Sequence, residues 1–126
     1  MKIHCCGDRA VSTILDFYED AIRKYGRTRS RHAIEHIEIL QPEDVNRFEN
    51  LGIIASMQPE HMVIQVDNYE DNPYFEKYSD KQLSTSWNFR ALLDRNITLS
   101  FGSDCPVVDV KMCIRDSSDP GDHQFY

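Results

Sequence analysis

The sequence predicts an α/β fold in which short parallel strands alternate with covering helices. Apolar residues first recur at the i, i+3, i+4, i+7 spacing of a helix face, and short isoleucine-rich runs then alternate with further helical spacing. This alternation is typical of βαβ units, whose strands lie parallel in one sheet. Closed barrels and open sheets both satisfy the pattern, so the alternation alone leaves both architectures open.

Length, charge and cysteine content bound the class of protein. The 126 residues, 28% charged and 40% hydrophobic, suit one globular domain. A net charge of −7 without a basic stripe argues against a nucleic-acid partner. No apolar run approaches the roughly 20 residues that span a bilayer, so we expect no membrane association and a cytoplasmic location.

The cysteines are expected to be reduced thiols. Their spacings match neither a CxxC pair nor a zinc ribbon, and a disulfide framework would require a secretory context that the sequence lacks. The four residues are Cys5, Cys6, Cys105 and Cys113.

The first predicted helix covers residues 9–25. Asp8 is suited to accept hydrogen bonds from the free amides of its first turn, and Gly26 is suited to the left-handed conformation that ends a helix. Its apolar face consists of Val11, Ile14, Leu15, Tyr18, Ile22 and Tyr25.

A strand, a helix and a second strand are predicted next. Residues 32–40 form an isoleucine-rich strand, and Pro42 with the following acids marks a helix start. Val45, Phe48 and Leu51 repeat at helical spacing up to Gly52, after which residues 52–57 are predicted to be a buried strand.

The remaining pattern is weaker. We expect residues 58–84 to be a long and functional loop, followed by a helix that contains Leu83, Trp87, Ala91 and Leu92. Residues 96–102 are predicted to be the last strand, with alternate residues on opposite faces.

Three side chains suited to metal ligation lie where strands give way to loops. His4 ends the first strand, His36 lies in the second, and Asp104 follows the last. Because the carboxyl ends of parallel strands meet at one edge, ligands bind there in such folds. Two imidazoles and a carboxylate suit zinc, manganese or iron.

Four strings along the chain resemble successive signatures of amidohydrolase family 3, in the branch that includes N-substituted formamide deformylase. The resemblance runs from about residue 3 to residue 107, in the order and at about the spacing of that family. The strings are His4-Cys5-Cys6-Gly7-Asp8-Arg9-Ala10, Arg31-His32-Ala33-Ile34-Glu35-His36, Ala55-Ser56-Met57-Gln58-Pro59-Glu60-His61 and Phe101-Gly102-Ser103-Asp104-Cys105-Pro106-Val107.

This resemblance implies part of a TIM-type (β/α)8 barrel, approximately strands five to eight with their helices. It implies that His4, His36 and Asp104 bind a divalent metal, zinc first, with manganese or iron as alternatives. Asp104 is then also the catalytic residue, which moves a proton from the attacking water to the leaving nitrogen. Gln58 and His61 are expected to contact a small-molecule amide substrate, and the reaction is hydrolysis of a non-peptide carbon–nitrogen bond through a metal-activated water.

The chain departs from the family pattern at both ends. The His-x-His signature of the first strand is absent, so we expect a fragment, the C-terminal half of the barrel, that is inactive alone. Residues 1–108 are assigned to the partial barrel. Residues 109–126 show no periodicity, and we expect this unassigned tail to be foreign to the native barrel.

Each assignment has an alternative. His4 and His36 could be ordinary hydrogen-bonded histidines, Asp104 could begin a turn, and Gln58 and His61 could be loop residues without a substrate role. Within the superfamily, the same ligands serve a cyclic amidase or a deaminase. A non-catalytic open α/β binding module is the alternative from another class, although the sequence carries no glycine-rich phosphate loop.

Overall fold

The computed structural model describes residues 1–66 and 77–107, and it confirms the predicted α/β class. Four parallel strands pair in chain order, β1-β2-β3-β4. Their bounds are β1 Lys2–Cys5, β2 Ala33–His36, β3 Ile54–Met57 and β4 Leu99–Phe101.

The register of the strands makes one polar row across the sheet. His4 lies opposite Glu35, Glu35 lies opposite Ser56, and Ser56 lies opposite Ser100. Because side chains alternate between the two faces of a strand, these four residues share one face. Polar side chains therefore follow the sheet on the face away from its apolar core.

Helices cover the sheet between the strands. The first, α1 (Asp8–Tyr25), starts one residue earlier than predicted, because Gly7 and not Asp8 is its N-cap. Gly26 has a positive φ of 79° but an extended ψ of 170°, so it ends α1 without the full left-handed conformation. The second, α2 (Pro42–Leu51), has the predicted proline start and ends at Gly52 in the left-handed region.

The core lies between the sheet and the pair α1 and α2. Burial of these side chains removes apolar surface from water, the main favourable contribution to folding. Ile34, Ala55 and Met57 of the sheet meet the apolar faces of both helices in this cluster. Its largest members on α1 and α2 are Leu15, Tyr18 and Phe48.

Three predicted elements differ from the structure. The strand predicted over residues 32–40 ends at His36, because His36 and Ile37 both have positive φ. The long loop predicted from residue 58 instead begins with a helix, α3 (Pro59–Val66), whose proline occupies a favourable helix start. The central part of that predicted loop, residues 67–76, lies outside the described residues.

The helix predicted around residues 83–92 is two short helices. The first, α4 (Asp80–Leu83), is capped by Ser79 and Gln82 in a reciprocal capping box. The second, α5 (Phe89–Leu93), is capped by the Asn88 side chain, which accepts from the Ala91 amide. Trp87, at a φ of 43°, breaks the helical path between them.

Among the described helices, none has the length and apolarity that crossing a membrane requires. The tail at residues 109–126 also lies outside the described residues.

Candidate metal centre

The carboxyl ends of β1 and β2 bring two predicted ligands into contact. The rings of His4 and His36 lie 4.4 Å apart between centroids, at 69° to each other. His4 is exposed at the edge of the sheet, whereas only 6% of His36 is exposed. The predicted convergence of these two imidazoles is therefore present in the fold.

A left-handed turn after β2 shapes this end of the sheet. His36 has a φ of 73° and Ile37 a φ of 52°, a region that β-branched residues rarely adopt. The Ile37 amide donates to the Cys5 carbonyl at 2.9 Å, and its side chain is fully buried. Strain of about 1–3 kcal/mol at such a residue persists only where surrounding contacts enforce it, and it is most frequent at functional sites.

The first group of candidate ligands lies at the β1 side and consists of His4, Cys6 and His36. Their ligand atoms lie within 4.8 Å of one another, and the Cys6 sulfur is 3.4 Å from His4 Nε2. Burial raises the pKa of the Cys6 thiol to about 11, with smaller contributions from the negative charges of Glu38, Cys5 and Asp104. The thiol is thus protonated at neutral pH in the absence of a cation.

The second group lies deeper and consists of His36, Glu38 and His61. Its ligand atoms also lie within 4.8 Å of one another, and the three residues are 6%, 4% and 8% exposed. His61 Nδ1 is 3.5 Å from Glu38 Oε1. The His61 ring stacks on the His36 ring at 5.7 Å between centroids and 15° between planes.

Both buried imidazoles of the second group leave a nitrogen without a partner. His36 Nδ1 and His61 Nε2 are inaccessible and accept or donate no hydrogen bond. A buried polar atom without a partner costs about 1–3 kcal/mol, so nearly all such atoms in proteins are satisfied. Imidazole nitrogen, thiol and carboxylate are the donors that zinc prefers. The residues present therefore fit a divalent ion.

Gln58 lies at the carboxyl end of β3 and is 4% exposed. Its Nε2 donates to Glu35 Oε2 at 3.2 Å, and its buried Oε1 has no partner. Glu35 in turn pairs with Lys2 at 2.9 Å. Burial alone would raise the pKa of Glu35, but hydrogen bonds from Ser56, Lys2 and Gln58 lower it overall. The side chain of Gln58 is thus oriented, with one acceptor left over.

Asp104 lies beyond β4 in a turn, exposed, with a φ of 54°. Its charge reaches Cys6, whose pKa it helps to raise, which places Asp104 near the same end of the sheet. Among the described residues, however, Asp104 belongs to neither of the two ligand groups. Its predicted ligation, like the substrate contacts predicted for Gln58 and His61, stays a prediction.

The sequence reasoning missed two candidate ligands, Cys6 and Glu38. Each follows a predicted histidine by two residues, so a search for His-x-Cys and His-x-Glu pairs beside strand ends would have found them. Glu38 was assigned to a continuous strand. The left-handed turn at His36 and Ile37 changes the direction of the chain, and no sequence pattern reports that change.

The fold and the clustered imidazoles define an α/β protein with a candidate divalent-metal centre at its strand ends. The particular family follows from comparison with known proteins. The model of the amidohydrolase family matches residues 1–112, and the chain belongs to this family.

A plant relative and two archaeal structures extend the comparison. Protein LONG AFTER FAR-RED 3 of Arabidopsis thaliana is 38% identical over 110 residues, which cover 87% of this chain and 18% of the relative. An uncharacterized metal-dependent hydrolase from Pyrococcus furiosus matches with a TM-score of 0.66 and 22% identity, over 90% of this chain and 21% of its own.

A second uncharacterized metal-dependent hydrolase, from Pyrococcus horikoshii OT3, matches with a TM-score of 0.66 and 24% identity, over 86% of this chain and 20% of its own. At these identities the two structures show the fold alone. The chain thus has the fold of a part of these hydrolases and spans about a fifth of the length of each relative.

Proposed function

We propose that this chain supplies half of the active site of a metal-dependent hydrolase that cleaves non-peptide carbon–nitrogen bonds in small molecules. The observation that supports this most directly is the contact of His4 and His36, 4.4 Å between ring centroids, at the carboxyl edge of a parallel sheet. In barrels of this kind the active site lies at that edge. Family membership supports the same reading.

In this proposal His4, His36 and Asp104 would hold the ion, with zinc as the first candidate because imidazole and carboxylate are its common ligands. The bound ion supplies a Lewis acid that makes water nucleophilic at neutral pH. His4 and Asp104 are exposed, so both can reach an ion that is open to water and substrate.

The remaining steps belong to the side chains. The Asp104 carboxylate accepts a proton from the attacking water and returns it to the leaving nitrogen, so that the amine departs neutral. The unpartnered Gln58 Oε1 accepts a hydrogen bond from a substrate N–H, because its own amide nitrogen is already committed to Glu35. A substrate that lacks this N–H would leave the acceptor unsatisfied and bind less well.

We favour an N-substituted formamide as the type of substrate, bound by a complete (β/α)8 barrel. Four strands cannot close such a barrel, so we propose that activity requires further strands and that the 126-residue chain is inactive by itself. The described cysteines are unpaired, which is typical of a reducing compartment, and we propose a cytoplasmic location.

Steady-state assays with added zinc or manganese test the proposal. They compare the 126-residue chain with an N-terminally longer form of the protein, on linear N-formyl and N-acyl amides, cyclic amides and amino-substituted heterocycles. We expect only the longer form to turn over substrate, and we expect it to prefer linear amides. A preference for cyclic amides or ring amines would favour the cyclic amidase or deaminase reading.

The Asp104→Asn variant of the active form tests the proton transfer. Because Asn preserves size but accepts no proton, kcat should fall on the order of 10²–10⁴-fold while the fold is kept. Asp94→Asn is the matched control, since Asp94 is exposed and pairs with Arg90 away from the centre. Full activity in Asp104→Asn would contradict the assigned role.

A further inference from the structure

The proposed function uses only one member of the second ligand group, His36. The other two members, Glu38 and His61, have no role in it. It lies at the junction of β2 and α3 and is buried. Three residues that can ionise or bind metals are rarely buried together without a binding or structural purpose. Two observations distinguish these purposes: the spacing of the ligand atoms and the state of their hydrogen bonds.

We propose that His36, Glu38 and His61 form a divalent-metal site of their own, a two-histidine and one-carboxylate ligand set that holds an ion on the α3 side of His36. The inference rests on the proposed function only in sharing His36 and a divalent ion. It assigns His61 to metal binding in place of the substrate contact predicted from the sequence.

The spacing of the ligand atoms fits one ion. Zinc bonds of about 2.0–2.2 Å in tetrahedral arrangement place two ligand atoms about 3.3 Å from each other. One ligand atom from each of the three residues lies within 4.8 Å of the other two. Two histidines and one glutamate, with a fourth position for water, are also a ligand set of catalytic zinc.

The hydrogen bonds argue against a purely structural purpose. A structural buried histidine is normally satisfied at both nitrogens, because each unsatisfied atom is costly. Here His36 Nδ1 and His61 Nε2 have no partner although both rings are more than nine-tenths buried. A metal bond would occupy a nitrogen of each ring, and the negative charge of Glu38 would be balanced by the cation.

The two groups meet at His36, which fixes the design of the test. An ion held by His4, His36 and Asp104 depends on His4 and not on His61, whereas an ion held by the second group depends on His61 and Glu38 and not on His4. His32 offers a matched control, because it is a half-buried histidine that lies outside both groups and contacts the Tyr18 ring.

The experiment measures binding of Co²⁺ and Zn²⁺ to the full 126-residue chain by calorimetry and by the visible absorption of Co²⁺. The variants are His61→Asn, Glu38→Gln and His4→Asn, with His32→Asn and the exposed Glu43→Gln as controls. We expect His61→Asn and Glu38→Gln to weaken binding to the second group at least tenfold. In His4→Asn and in both controls, the dissociation constant of that ion should stay within about twofold of the wild-type value.

A second measurement does not depend on the folding of any variant. Long-range ¹H–¹⁵N spectra of the wild-type chain, titrated with Zn²⁺, report directly which imidazole nitrogens bind the ion. We expect shifts at nitrogens of His36 and His61. Circular dichroism and thermal melting establish which variants remain folded. Where a variant is unfolded, the titration of the wild-type chain identifies the ligands instead.

Each outcome decides the question. One ion retained in His4→Asn and lost in His61→Asn supports the inference, as do two ions that these variants remove separately. An ion that is lost in His4→Asn and insensitive to His61→Asn and Glu38→Gln overturns the inference and leaves the proposed function standing. Shifts confined to His4 and His36 also overturn the inference. A chain that binds no ion overturns both the inference and the proposed function.

Discussion

Two clusters of charged and polar side chains differ in how completely their polar atoms have hydrogen-bond or ionic partners. The first, here called the charged seam, joins α1 to α2 and consists of Ser12, Asp16, Glu19, Asp44 and Arg47. Arg47 donates to Asp16 at 2.6 Å, to Glu19 at 2.8 Å and to Asp44 at 2.9 Å. Ser12 donates to the other oxygen of Asp44.

The second cluster is the buried group His36, Glu38 and His61, where two nitrogens have no partner. Its residues are buried to the same degree as Asp44, at 4–8% exposure. Burial alone therefore does not identify a functional group. Satisfied polar atoms are typical of a structural contact, whereas the two unpartnered nitrogens of the second cluster support the metal site inferred above.

The largest effect should follow from breaking the charged seam at its centre. In Arg47→Met, the buried Asp44 carboxylate loses its positive partner, and removal of one member of a buried pair costs about 3–5 kcal/mol. Since a fifth of the Arg47 side chain is exposed, we expect the lower end, about 3 kcal/mol of unfolding free energy. Urea denaturation at neutral pH measures it.

Arg95→Met is the matched control, because Arg95 is half exposed and lies 4.0 Å from Glu49. It should cost less than about 1 kcal/mol. Equal losses in the two variants would contradict a special role of the seam.

A smaller loss is expected from Ser12→Ala, which removes one donor to Asp44 but leaves Arg47 in place. Hydrogen bonds to charged groups contribute about 1.5–3 kcal/mol. We expect about 1.5 kcal/mol, measured by the same denaturation, and the exposed Ser84→Ala as a reference should change stability by less than about 0.5 kcal/mol. A neutral Ser12→Ala would show that Arg47 alone satisfies Asp44.

Substitution in the second cluster should have a different result. In His61→Leu, an unsatisfied nitrogen and a 3.5 Å contact to Glu38 are replaced by apolar contacts of similar volume. We expect the metal-free chain to change stability by less than about 1 kcal/mol, because removing an unsatisfied atom offsets the lost contact. Stabilisation by added zinc should disappear. A loss comparable with that of Arg47→Met would make His61 structural.

The smallest effect concerns Glu35, which lies beside the second cluster and interacts with Lys2, Ser56 and Gln58. Because its pKa is lowered from the ordinary 4.5, its charged form stabilises the fold above that pH, and this contribution is lost as the pH falls through the lowered value. Lys2 is 69% exposed, so its share is about 0.3–0.5 kcal/mol.

Lys2→Met should therefore be slightly less stable than the wild type at pH 7, and the two should converge once the pH falls below the lowered pKa of Glu35. Denaturation curves from pH 7 down to acid pH test this. Lys2→Arg keeps the positive charge and should therefore be as stable as the wild type. A gap that stays constant with pH would exclude Glu35 as the cause.

Local patterns were sufficient for the elements that depend on near neighbours. The helical period of α1, the proline start and Gly52 end of α2, and the alternation of strands with helices were all predicted, because spacing and capping are properties of adjacent residues. The resemblance of four short strings also led to His4 and His36, which the fold brings into contact. The family itself was recognised in the same way.

The turn after β2 and the second candidate ligand group depend on tertiary contacts. The left-handed turn at His36 and Ile37 contradicts the preference of isoleucine, and contacts with Cys5 and the core enforce it. That turn brings Glu38 to His61, which lies on a helix where the sequence pattern favoured a loop. No local spacing encodes an approach between residues on separate elements, because it depends on how β2 and α3 pack. Sequence pattern therefore accounts for most of the elements and for one pair of candidate ligands, whereas the second candidate group exists only because those elements pack together.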